Sequence, residues 1–126
     1  MLVSSHKDLI VWQKAMDLVE MIYNLTDEFP KHEVFGLSSQ IRRAAVSIPS
    51  NIAEGRRRGS RREYCQFVFI SYGSGAEVET QLEIAKRLGY GSPDKIKNSE
   101  QLLTEVMKML NSMLMTLRSY PTSYKP

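Results

Sequence analysis

The sequence predicts an all-α fold, an antiparallel up-and-down bundle of four helices whose second helix is kinked near Pro49. Three observations carry that expectation. Apolar residues recur at spacings of three and four through four long stretches, the signature of amphipathic helices. Ser, Gly and Pro punctuate the joins between them, and no stretch alternates as a strand would. The connections are short, so sequence neighbours should lie side by side in opposite senses. With 126 residues, 42% of them hydrophobic, the chain fits one domain with one core.

The first helix is expected over about 9–29, with Trp12, Ala15, Met16, Val19, Ile22, Tyr23 and Leu25 on its apolar side, Asp8 capping its start and Pro30 ending it. The second runs over about 37–57, where Leu37, Ile41, Ala44, Ala45, Ile48 and Ile52 share one face. That period continues through Pro49, so a kink is expected there rather than a break. Gly59 reads as a stop, and Ser60 with Glu63 reads as a capping box for a third helix over about 61–88. Tyr64, Val68, Ser71, Gly75, Val78, Leu82 and Ala85 form its packing seam. Gly89 closes it, and Ser92 with Pro93 opens a fourth helix over about 93–120, striped by Ile96, Leu103, Val106, Leu110, Met113 and Leu117. The tail from Pro121 is expected to fray.

Composition narrows the function classes. Cys65 is the single cysteine, which excludes an intramolecular disulfide and cysteine-cluster metal sites and suits a reducing cytoplasm. Residues 1–9 lack the apolar run of a signal peptide, and no stretch has the length of a membrane span. His6 and His32 are the only histidines, and neither belongs to a Glu-x-x-His pair, so no metal and no cofactor are expected. Gly73-Ser74-Gly75 has neither the Lys-Ser/Thr nor the preceding strand that phosphate binding needs, and reads instead as a close approach between helices that Gly75→Leu would spoil. Glu79 and Glu83 read as a solvated or Lys86-paired face, and Cys65 has no identifiable base beside it. Met107, Met109, Met113 and Met115 crowd the fourth helix on more than one face, through core filling or an adaptable apolar edge. No catalytic constellation is complete, and no enzyme is expected.

Net charge is only +3, but its distribution is uneven. Arg42, Arg43, Arg56, Arg57, Arg58, Arg61 and Arg62 are opposed in that segment by Glu54 alone. Arg42, Arg56, Arg57, Arg58, Arg61 and Arg62 are the candidate nucleic-acid contacts, because guanidinium groups bind phosphates bidentately and clustered cations gain from counterion release. The competing reading is a solvated corner that meets acidic residues of a neighbour or a protein partner. No stacking aromatic is interleaved with these arginines in the sequence. On the second helix Arg43, Ser47, Ser50 and Glu54 form a stripe opposite the apolar face, whose small residues suggest close approach by another subunit.

Two blocks, Asp8-Leu9-Ile10-Val11-Trp12-Gln13-Lys14-Ala15 and Gly36 through Gly55, together with Glu79-Thr80-Gln81-Leu82 and Leu88-Gly89-Tyr90, resemble the four-helix-bundle family of 23S ribosomal RNA intervening-sequence proteins. The resemblance covers nearly the whole chain. It implies an antiparallel four-helix bundle assembled as a homopentamer with a central channel, in the bacterial cytoplasm, without established enzymatic activity. A related bundle of diversity-generating retroelements is similar in assembly and binds nucleic acid and a reverse transcriptase through a basic surface, an analogy of fold alone. The density of arginine from Arg56 to Arg62 goes beyond the matching block. The sequence thus points to a homo-oligomer binding RNA or a ribonucleoprotein through the arginine-rich turn, with a scaffold for an acidic protein as the alternative.

Overall fold

The computed structural model describes residues 5–119, which form four helices: α1 (Ile10–Thr26), α2 (Leu37–Arg57), α3 (Arg61–Leu88) and α4 (Pro93–Arg118). Single 3-10 turns at His6–Asp8 and Lys31–Glu33 precede α1 and α2, and the described residues contain no strand. The expected extension of α4 to Tyr120 and the tail from Pro121 lie outside the described residues. No helix among the described residues is long and apolar enough to cross a membrane.

The helices form a closed ring in which α1 meets α2 and α4, and α3 meets α2 and α4, while the diagonal pairs make no close backbone approach. Contacts run in reverse sequence order along each seam. On α2 and α3, Gly55 lies against Tyr64 and Phe67, the Ile48 carbonyl accepts from Ser71 Oγ at 2.9 Å, and Ser47 meets Ser74 at 2.8 Å. On α3 and α4, Lys86 pairs with Glu100, Gly75 faces Met107, and Phe69 faces Arg118.

The apolar faces explain this ring. Leu37, Ile41, Ala44, Ala45, Ile48 and Ile52 are all buried, and α2 runs unbroken through Pro49. The expected seam of α3 is buried from Val68 to Ala85, with Tyr64 half-buried at its start. Gly75 alone makes the close approach expected of the glycine pair, against Met107; Gly73 faces open space and Ala76 is exposed. On α4, Leu114 takes the buried position after Leu110, leaving Met113 and Leu117 half-buried at the margin.

Helix α1 departs most from expectation. Val11, Ala15, Leu18, Ile22 and Leu25 fill the core, whereas Trp12 and Val19 are half-buried and Met16 and Tyr23 exposed. Its apolar residues cover more than one face, and the face that packs is set by the partners rather than by the period. Asp8 does not cap this helix; Leu9 is the N-cap residue, without a side-chain bond, and Asp8 sits in the preceding 3-10 turn. The helix ends at Thr26 rather than Phe29, because Glu28 and Phe29 turn back to bond the carbonyls of Leu25 and Thr26 in a tighter winding.

The other joins follow local chemistry. Ser60 Oγ accepts the Glu63 amide at 3.1 Å, and Ser92 Oγ accepts the Lys95 amide at 3.3 Å. Gly89 ends α3 in the left-handed region at φ 73°, where Tyr90 N–H donates to the Ala85 carbonyl. Gly59 plays no such part. Helix α2 closes through Arg58 in an extended conformation, so Gly59 serves only as open backbone in the turn.

Candidate nucleic-acid interface

Position along α2 divides the arginines into two groups. Arg42 and Arg56 stand 14 residues apart, about 21 Å at ~1.5 Å per residue. Arg42 therefore lies near the opposite end of the helix from the turn, and its surroundings are structural. Its Nε donates to Thr26 Oγ1 at 2.6 Å, and its terminal nitrogen donates to Asp27 Oδ1 at 3.0 Å and to the Tyr23 carbonyl at 3.3 Å. The guanidinium also lies 4.5 Å from the Tyr23 ring centroid. Arg42 thus fastens α2 to the last turn of α1, through the Thr26 hydroxyl, the Asp27 carboxylate and a Tyr23 carbonyl that also accepts the Asp27 amide. The sequence grouping of Arg42 with the turn is corrected by this geometry.

The remaining five surround the join of α2 and α3. Gly55 permits that join: a Cβ there would sit 2.7 Å from Phe67 Cβ and 3.1 Å from the Tyr64 ring, so the helix axes come close just before the chain reverses. Arg56 and Arg61 are half-buried and take part in interactions within the fold. Burial raises the Tyr64 hydroxyl above the ordinary tyrosine range, and the nearby charge of Arg56 partly offsets this. Arg58 is exposed but engaged, 2.8 Å from Glu54 and 3.8 Å from Glu63, with its guanidinium 5.0 Å from the Phe67 centroid. Arg57 and Arg62 are exposed and make no ion pair among the described residues.

The structure supplies a feature the sequence hid. Phe69 lies two turns along α3 from Arg62, is 51% exposed, and has Arg118 from the end of α4 4.8 Å from its ring centroid. Aromatic rings therefore do neighbour the arginine turn, through Phe67 beside Arg58 and Phe69 beside Arg118. Helical spacing from Arg62 to Phe69 was the available sequence signal; the approach of Arg118, 49 positions after Phe69, was not visible in it.

The stripe proposed for oligomer contact is mixed. Arg43 and Ser50 are exposed, whereas Glu54 is paired with Arg58. Ser47 is partly buried, bonded to Ser74 and to the Asn51 amide, so its small side chain serves the α2–α3 contact within the chain. Ser50 opens instead onto a shallow groove of about 340 Å³ between α1 and α2, walled mainly by Trp12, Met16, Val19, Val46 and Pro49. Among the described residues no group of three or more His, Cys, Asp or Glu side chains could hold a metal ion.

At the other end of the bundle several charged side chains are tied to neighbouring elements. Glu33 Oε1 accepts the Leu37 amide at 3.0 Å, capping α2 from the loop, while Glu33 Oε2 accepts from the Tyr90 hydroxyl at 3.0 Å. The Leu37 amide, then the Tyr90 hydroxyl, hold the Glu33 carboxyl below its ordinary range. Glu28 is lowered in the same direction, chiefly by Lys95 and then by the Ser92 amide.

Comparison with known proteins agrees with the fold. A crystal structure of a protein of unknown function from the S23 ribosomal protein family of Bacteroides thetaiotaomicron is 26% identical. The match covers 83% of this chain and 98% of that one, with a TM-score of 0.75. No curated protein matches the sequence. The family model described as 23S rRNA-intervening sequence protein matches residues 7–112, which hold α1 to α3 whole and most of α4, and the chain belongs to that family.

Proposed function

We propose that this protein is a non-enzymatic homo-oligomer, a pentamer when assembled, that binds RNA or a ribonucleoprotein through the turn between α2 and α3 in a bacterial cytoplasm. The observation that carries this reading is the pair Arg57 and Arg62, exposed on that turn and free of ion pairs among the described residues. Unpaired guanidinium groups on a rigid helix join favour phosphate, since no internal carboxylate has to be displaced first. Arg56, Arg58 and Arg61 add to the local potential, and Arg58 ties the turn to Glu54 and Glu63.

Assembly is supported by apolar surface left uncovered by the fold. The groove along Trp12, Met16 and Pro49 suits an apolar side chain, and Phe35, 97% exposed beside Val34, is such a side chain on the same molecule. A walled groove with so few polar groups also gives little footing for chemistry.

Binding of RNA measured across a salt series tests the main reading. Affinity should fall steeply with salt, and Arg57→Ala with Arg62→Ala should lower the log–log slope by roughly 0.7 to 0.9 for each charge removed. Absent or salt-independent binding would refute it. Purification with and without nuclease identifies an acidic protein partner, which nuclease leaves in place. Solution mass tests assembly: a multiple of 14.4 kDa is expected, reduced by Arg43→Glu or Phe35→Glu, and a monomeric wild-type chain would sink that part.

A further inference from the structure

The outer face of α3 carries Arg62, Gln66, Phe69 and Gly73 at helical spacing, all exposed, with Ile70 beside Phe69 also about half exposed. The face begins at the arginine turn, and Arg62 to Phe69 spans ~10 Å at ~1.5 Å per residue. Gly73 leaves open space beyond the ring. Arg118 brings a second cation to Phe69 from α4, its guanidinium 4.8 Å from the ring centroid. An aromatic ring and a guanidinium together, on the same helix face as Arg62, which makes no ion pair among the described residues, form the elements of a stacking platform.

We propose that this face of α3 binds single-stranded RNA, with Arg62 on the backbone and a base stacked on the Phe69–Arg118 platform. The proposal rests on the RNA reading above and gives it a substrate class. A duplex conceals its base faces, so it gains only from the arginines, whereas an unpaired strand gains from the ring as well. A solvated helix face has no need of Phe69, and the ring lies within reach of the same strand that meets Arg62.

The test is fluorescence anisotropy of the full chain with a labelled oligouridylate and with an RNA duplex of equal length, at one salt concentration. The single strand should bind more tightly. Phe69→Leu, which keeps apolar volume without a π face, should weaken the single strand about ten-fold and leave the duplex unchanged. Phe69→Trp should retain or strengthen the single strand, and Arg118→Ala should weaken it several-fold. If Phe69→Leu binds as tightly as Phe69→Trp, or strand and duplex bind equally, the platform is overturned while the arginine reading stands. If neither RNA binds at low salt, both fall together. A drop in solution mass for Phe69→Leu with unchanged affinity also overturns the platform, assigning the ring to a subunit contact.

Discussion

The two ends of the bundle use the same residue types in opposite ways. At the end formed by the α1–α2 and α3–α4 connections, Arg42, Glu33, Glu28, Tyr90 and Lys95 are joined to one another's elements by hydrogen bonds and ion pairs. At the α2–α3 turn, Arg57 and Arg62 make no ion pair among the described residues, beside arginines that are held. An arginine is thus a fastening where a helix terminus or a carboxylate from another element lies within reach, and a free cation where none does. Charge count alone cannot separate the two; geometry can.

The largest effect should come from Gly55, on which the turn depends. Gly55→Leu forces side-chain volume between α2 and the Phe67 Cβ, and chemical denaturation should show a stability loss of about 3 kcal/mol. A stable Gly55→Leu chain would mean that the close approach does not hold the arginine end together. Arg42→Ala should come next, lowering stability by about 1 to 2 kcal/mol through the lost bonds to Thr26 and Asp27 while leaving RNA affinity unchanged. If Arg42→Ala instead weakens RNA binding at full stability, the division between the two ends breaks down.

Arg62→Ala sharpens the contrast from the other side. Its stability should stay within about 0.5 kcal/mol of the parent, with only the affinity for RNA and its salt slope reduced. The smallest effect is expected in the pH profile of the fastened end. Because the folded-state value of Glu33 is depressed below its ordinary 4.5, its stabilising contribution is present above the unfolded value and lost as pH falls through the folded one. Melting temperature should therefore decline in acid below about pH 5, and Glu33→Gln should flatten part of that decline. An identical acid slope in the variant would remove Glu33 from the account.

What could be read in the sequence was local or periodic. Ser60, Gly89 and the Ser92–Pro93 start act on backbone a few residues away, so their roles need no knowledge of the fold. The core faces of α2 and α3 were legible because each has a single apolar stripe. Helix α1 was misread because its apolar residues exceed one stripe, and the surplus Trp12, Met16 and Val19 became the groove wall. Among the candidate site residues, Arg57 and Arg62 stand out in the sequence by charge density, and the fold leaves both exposed.

The sequence by itself determined the four helices, most of their ends and the family, since hydrogen bonding within a helix and the burial of one stripe are written at separations of a few residues. Only the tertiary structure decided which cations remain free, that Ser47 serves α3, and that Phe69 has Arg118 beside it. Those outcomes depend on which groups from distant positions arrive within about 3 to 5 Å, where hydrogen bonds and cation–π contacts become strong. The ring closure of the helices sets those distances, and no local pattern encodes them.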